Sequence, residues 1–427
     1  MLDLSGSFRK LIYLTFVVSL FLSTGAVVDF LISGASVREQ LEEGNSQLRM
    51  ILWLPVYLSC AVITVVYFRK IRHFFEQNLA FLTLLGLAVI SFSWSALPSL
   101  SLYSSLQLVL LSCFAIVVGY TYSIEFILKQ IFYVFRLIII LSFLFVILLP
   151  EYGISVYVGE NAFRGVFPEK NRLGQILVYF FCLNFAFFEK KATSILSLII
   201  ATILLLGNGS ATALVLILLL PLLVRFSPVF YGDRDKIMVN SFFVVMIILM
   251  VTVFIMFTYE YFLMLLGKDP TLTGRTELWA LGLDSVMQKP LLGFGYNSFW
   301  KYDGGMGGEY IRYILTWGPM SMHNGWFETL LQLGMVGFGI ALFVYFKLVR
   351  LVVTAMNYSG LEKTSKCLFL FVTVYFVWTL MQHIILRHQE FSHFLFVILL
   401  SSLTAYKYAV ENESSSTSFN SQLSVDS

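Results

Sequence analysis

Three polar clusters interrupt an otherwise apolar chain, and each carries a group suited to binding an anion or moving a proton. The first, Phe163-Arg164-Gly165-Val166-Phe167-Pro168-Glu169-Lys170-Asn171-Arg172, gathers three cations within nine residues. Guanidinium forks match phosphate and carboxylate geometry. Lys170 and Arg172 also admit the simpler reading of snorkelling to lipid headgroups. The second cluster, Thr273-Gly274-Arg275-Thr276-Glu277-Leu278-Trp279, opens a helical stretch that stops at Lys289-Pro290. Arg275 then stands at a helix N-terminus, where free N–H groups and the positive end of the dipole favour an anion. A surface ion pair of Arg275 with Glu277 or Asp284 is the competing reading, and such pairs contribute little. The third, Ser321-Met322-His323-Asn324-Gly325-Trp326, puts an imidazole at the entry of a long apolar helix. The helix end disfavours the protonated ring, leaving His323 able to accept a proton near neutral pH. The bland alternative is a hydrogen-bonded anchor at the membrane interface.

Between the second and third clusters lies Pro290-Leu291-Leu292-Gly293-Phe294-Gly295-Tyr296-Asn297-Ser298-Phe299-Trp300. Its two glycines do not make a nucleotide loop, because the third glycine and a preceding strand are missing. A turn that presents aromatic faces is the better reading. Tyr296, Trp300, Tyr302 and Trp317, together with Trp279, suit the apolar faces of sugars or an isoprenoid chain, and anchoring in an interfacial belt is the alternative.

The elements that position these groups follow from composition. The chain has 427 residues, 58% apolar and 12% charged, with 42 phenylalanines. That apolar excess is more than one soluble core of this length hides, so lipid is the main solvent. Net charge is +3, which gives no sign of nucleic-acid binding. Cys60, Cys113, Cys182 and Cys367 are scattered through apolar stretches, which points to neither disulfides nor a thiolate metal site.

Apolar runs long enough to span occur near 11–33, 50–68, 79–95, 101–121, 127–149, 172–188, 193–206, 211–224, 237–258, 326–348, 366–386 and 391–408. The expected fold is therefore an all-α polytopic membrane protein of about twelve transmembrane helices. Residues 1–408 form one transmembrane domain in this reading, followed by a disordered, Ser-rich cytoplasmic tail over 409–427. Lys and Arg collect in alternate loops, as at Arg9-Lys10, Arg69-Lys70, Lys190-Lys191 and Lys347 to Lys366, which puts both termini in the cytoplasm. The first segment resembles a signal peptide, but its retention as a span keeps the count even. Two loops on the opposite side are long, about 150–171 and 259–325, and hold all three clusters. The second is expected to carry short helices. A loop of that length with so many aromatic residues is functional rather than disordered. Of the other histidines, His73 lies on the cytoplasmic side. His383, His388 and His393 are five residues apart, a spacing that scatters them round a helix rather than aligning metal ligands. No internal repeat of the kind found in transporters is seen.

Arg-Gly-Val-Phe-x-x-Lys-Asn at 164–171, Gly-Arg-Thr-x-x-Trp at 274–279, Pro-Leu-x-Gly-x-Gly at 290–295 and His-Asn-x-x-x-Glu at 323–328 occur in that order. With the long loop before the tenth span, this set resembles the O-antigen ligase and polymerase superfamily from roughly Ser91 to the last span. The resemblance implies a metal-independent glycosyltransferase with no cofactor, acting at the periplasmic face of the bacterial inner membrane. Its substrate would be a glycan on undecaprenyl diphosphate, and its other partners membrane lipid and further polysaccharide export components. Carried over, Arg164 and Arg275 fall on the diphosphate and His323 beside the acceptor hydroxyl. Lys170, Arg172 and Glu328 fall in positioning roles.

Ligases of the family use lipid A core as acceptor, and polymerases use a second lipid-linked repeat. The first cluster, with Gly209-Ser210-Ala211-Thr212-Ala213-Leu214, looks more like the exopolysaccharide polymerases. Ala211 replaces a basic residue that many relatives carry. A transporter of the same lipid-linked glycan is the rival from another class, although the expected spans hold few ionisable groups beyond Arg136.

Overall fold

A computed structural model describes residues 6–26, 46–157, 160–232, 235–237, 240, 274–302, 307–315, 317–358 and 361–423. The ninth expected span, 237–258, and the start of the long loop fall outside the described residues.

The chain is an all-α polytopic membrane protein. Helices α1 (Gly6–Ser23), α2 (Ser46–Gln77), α3 (Leu79–Ile90), α4 (Pro98–Thr121) and α5 (Ile124–Leu148) lead to a one-turn α6 (Pro150–Gly153). A two-stranded antiparallel hairpin follows, β1 (Ile154–Tyr157) with β2 (Glu160–Phe163), pairing Ile154 with Phe163. Next come α7 (Lys170–Phe187), α8 (Ala192–Asn208) and α9 (Ala211–Phe226), then α10 (Arg275–Gln288), α11 (Gly308–Ile314), α12 (Gly325–Met356), α13 (Glu362–Met381) and α14 (Phe391–Leu423). Among the described residues, eight helices are long and apolar enough to cross a membrane, and Leu79–Ser93 and Ala192–Asn208 are shorter apolar helices. As the sequence led us to expect, α10 and α11 are short helices within the long loop.

Burial divides the bundle into an inner and an outer set. α4 is the hub, packed on both α2 and α14, with Leu108, Leu111, Phe114 and Val117 fully buried. Leu58, Val65, Leu206 and Leu218 are each at least 60% exposed on the periphery. Apolar surface of that extent would aggregate in water, and lipid tails cover it at no cost.

Several helix ends depart from the sequence reading, each for a visible reason. α1 stops at Ser23, short of residue 33, where the hydroxyls of Ser23 and Thr24 bond back to Leu20 O and Phe21 O ahead of a left-handed Gly25. α2 runs through the basic stretch read as a loop, supported by an Arg72–Glu76 pair one turn apart at 2.9 Å. α13 ends at Met381, so residues 382–390 form a non-helical segment, and His383 and His388 lie on it rather than on a helix. α14 continues to Leu423, which makes most of the expected disordered tail helical; a Lys407–Glu411 pair supports its continuation past Tyr408.

Candidate active site

The centre of the site is built where α12 begins. Asn324 caps the helix by accepting from the Trp326 and Phe327 amides at 3.0 and 3.2 Å, so the chain must turn sharply just before it. His323 makes that turn with a left-handed φ of 48°, unusual for a residue with a side chain. The backbone of the preceding residue is held on both sides. Met322 donates its N–H to Glu328 Oε2 at 2.8 Å, and its carbonyl accepts from Trp279 Nε1 at 2.8 Å. Glu328 is fully buried on α12, and its other oxygen accepts from Trp300 Nε1 at 2.8 Å and Gln332 Nε2 at 2.9 Å. Sequence reasoning named Glu328 as a positioning candidate, and in the structure its carboxylate holds the backbone amide of the residue before His323.

Arg275 is the first residue of α10, as expected, after a left-handed Gly274 at the N-cap. A Cβ at Gly274 would lie 3.0 Å from Trp317 Nε1, and the Trp317 ring sits 5.7 Å from the His323 ring. The indole therefore lies between the head of α10 and the imidazole. Arg275 Nη1 reaches Met381 Sδ at 3.6 Å, at the end of α13. Burial first, then the positive charges of Arg275 and Arg387, pull the His323 pKa down to about 4. The imidazole is accordingly neutral at physiological pH.

The loop between α10 and α11 is wedged into the bundle. α12 breaks at Gly334, where φ is 65° and ψ −168°. The freed groups pair with the loop: Phe294 and Gly295 amides donate to Leu331 and Gln332 carbonyls, and Met335 and Val336 amides donate to Pro290 and Leu291 carbonyls. Non-helical backbone inside a membrane protein persists where such partners are supplied. The chains approach so closely that a Cβ at Gly334 would lie 2.2 Å from Leu291 O. This explains the glycines better than any ligand loop.

Tyr296 and Trp300, expected to offer faces to substrate, are 1% and 8% exposed and brace this wedge instead. Tyr296 donates to Leu386 O at 2.6 Å and accepts from the His388 amide at 3.1 Å. Trp279, Trp317 and Tyr302 remain half-buried.

Arg164 is 6% exposed, and its guanidinium donates to Tyr152 O at 2.7 Å and to Pro168 O and Glu151 O at 3.4 Å each. It therefore staples its own loop. Burial lowers the pKa of both arginines. Lys170 starts α7, and its carbonyl accepts from Asn208 Nδ2 at 2.7 Å. Arg172 pairs with Glu390, which is 2% exposed, tying the start of α7 to the segment after α13.

The residue that sequence reasoning missed is Arg387, whose charge bears on both His323 and Glu328. The signal was present in the polar run Arg387-His388-Gln389-Glu390 between two apolar stretches, but the histidine spacing drew attention away from it. Among the described residues, no three His, Cys, Asp or Glu side chains converge to hold a metal ion.

Residues 195–342 match the family described as O-Antigen ligase. Over 319 residues, 67% of this chain, the sequence is 27% identical to "Exopolysaccharide production protein ExoQ" of Rhizobium meliloti (strain 1021), and the chain spans 66% of that protein's length. With the multi-pass helical fold, these likenesses make the chain similar to the O-antigen ligase-like superfamily.

Proposed function

We propose that the chain is a glycosyltransferase of the bacterial inner membrane that polymerises undecaprenyl-diphosphate-linked repeat units at the periplasmic face. The observation that carries this reading is the neutral, half-buried His323, held beside a guanidinium at the N-terminus of α10 and at the head of a membrane-spanning helix. A sugar hydroxyl needs a base, and a departing diphosphate needs positive charge.

The step is a single inverting displacement without metal. His323 takes the acceptor hydroxyl proton, and that oxygen bonds to the anomeric carbon. The carbon–oxygen bond to the diphosphate breaks on the opposite face, and its electron pair leaves with undecaprenyl diphosphate. Arg275 stabilises the departing charge, with Arg164 contributing from the loop it staples. Trp279 and Trp317 lie beside this geometry and offer half-buried faces to the glycan. An anion between the cations also raises the His323 pKa, so substrate binding strengthens the base it needs.

Similarity to an exopolysaccharide production protein favours the polymerase. The family description favours a second reading, ligation to lipid A core. The test uses purified protein with a synthetic undecaprenyl diphosphate repeat unit as sole substrate, products sorted by length, and the His323→Ala protein in parallel. A ladder of longer lipid-linked glycans, absent with His323→Ala, supports the polymerase. Transfer only after lipid A core is added makes it a ligase. An equal ladder from His323→Ala refutes the mechanism.

A further inference from the structure

We propose that Arg387, on the segment between α13 and α14, is a further donor-binding residue that grips the diphosphate of the lipid-linked substrate opposite Arg275. The inference rests on the diphosphate-lipid reading above and adds a residue that the four sequence motifs do not contain.

The geometry of the segment 382–390 carries it. Ile384, Ile385 and Leu386 are buried, whereas Arg387 between Leu386 and His388 is exposed. On either side of Arg387 and His388 the backbone adopts left-handed φ values at two residues that are not glycine, 49° at Leu386 and 60° at Gln389. Such conformations persist only where the surroundings impose them, and they concentrate at functional sites. Here the surroundings do impose them. The Tyr296 hydroxyl bridges Leu386 O and the His388 amide, and Glu390 is paired with Arg172.

The segment also abuts the site directly. A Cβ on Gly325, two residues after His323, would lie 3.3 Å from both Gln382 O and Ile385 Cγ1. Arg275 touches Met381, one residue before the segment begins. Arg387 Nη1 donates to His383 O at 3.4 Å, which keeps the guanidinium against its own segment. Among the described residues, the charges that act on His323 are those of Arg275 from α10 and Arg387 from this segment, while Glu328 of α12 is turned inward toward Met322, Trp300 and Gln332. A diphosphate offers oxygens to both guanidiniums.

The same chemistry would also suit a phospholipid headgroup, so the test separates the two sources. Wild-type protein, Arg387→Gln and Arg387→Lys are placed in nanodiscs of phosphatidylcholine alone, or with phosphatidylglycerol added, and titrated with farnesyl diphosphate. Arg387→Gln is expected to weaken binding about tenfold or more in phosphatidylcholine, with Arg387→Lys in between. In the same variant the acid limb of kcat/KM is expected to move up from about 4, because one of two charges opposing His323 protonation is gone. Equal binding by wild type and Arg387→Gln overturns the proposal and leaves the proposed function standing. A difference seen only with phosphatidylglycerol also overturns it, making Arg387 a headgroup anchor. Failure of the wild type to bind farnesyl diphosphate overturns both.

Discussion

Glu328→Gln tests how His323, the proposed base, is held. Three donors converge on the two carboxylate oxygens: Trp300 Nε1 and Gln332 Nε2 on Oε1, and the Met322 amide on Oε2. Glutamine keeps the volume but turns one oxygen into an NH2 group, which must face a donor. Placing it at the Oε1 position would leave two donors unmatched. Reorienting Gln332 to help is opposed because its Oε1 accepts the Asn297 amide at 3.1 Å. The cheaper arrangement puts the NH2 against the Met322 amide, so the substitution selectively releases the residue before His323. Leaving that buried N–H unsatisfied costs about 1–3 kcal/mol. The Met322 carbonyl keeps its bond to Trp279, so the turn loosens rather than unfolds. Displacement of a reacting group by about 1 Å costs up to about a hundredfold in rate. We expect kcat for chain extension to fall ten- to hundredfold with KM for the lipid-linked donor nearly unchanged. The assay is single-turnover and steady-state product analysis on folded, detergent-purified protein. Wild-type kcat in Glu328→Gln would refute the argument that this carboxylate positions His323.

Three further outcomes are expected. kcat/KM should be flat through neutral pH and fall only as pH drops through about 4, because a lowered His323 pKa keeps the base form populated above it; the limb in kcat should lie higher, since bound diphosphate offsets the guanidinium charges. Gly334→Ala should reduce the yield of folded protein and its melting temperature, because the new Cβ meets Leu291 backbone at 2.2 and 2.3 Å while φ is 65°; wild-type melting would show that the wedge adjusts freely. Arg172→Met should destabilise by about 3 kcal/mol by stranding the buried Glu390 carboxylate, with much of the loss recovered when Glu390→Met is added, as read by unfolding in detergent.

Helix existence was legible because lipid imposes it: long apolar runs have no other way to satisfy their backbone groups, and α4, α5, α9 and α12 fall close to where hydropathy put them. Helix ends were less legible. They are set by turns such as Ser23-Thr24-Gly25 and by basic stretches that helix α2 simply absorbs, neither of which hydropathy reads. At the candidate site, the helix starts that position Arg275 and His323 were legible in the sequence. Tyr296 and Trp300 misled because an aromatic residue in a loop looks the same in sequence whether it faces a ligand or, as here, wedges the loop into a break in α12. The placement of Arg387 was hidden because it depends on a backbone conformation that no residue type announces.

That conformation links fold to chemistry. Among the described residues four that are not glycine have positive φ: Asn297, His323, Leu386 and Gln389. Each cost is on the order of 1–2 kcal/mol, too much to recur by accident in one neighbourhood. Asn297 donates its side-chain amide to Ser104 Oγ and its backbone N–H to Gln332 Oε1, which anchors the wedge; His323 is the proposed base; Leu386 and Gln389 flank Arg387 and His388. Helices cannot turn a side chain toward a point beyond their own ends, so a bundle that acts on a headgroup must gather its chemistry on the bends between them. The packing of α4, α12 and α14 supplies the rigidity, and the strained residues convert it into direction. If so, relieving the strain should separate the two properties: Gln389→Gly, which adopts φ 60° without strain, is expected to leave the melting temperature equal or higher while lowering activity through a looser Arg387. Unchanged activity would mean that the bend serves packing alone.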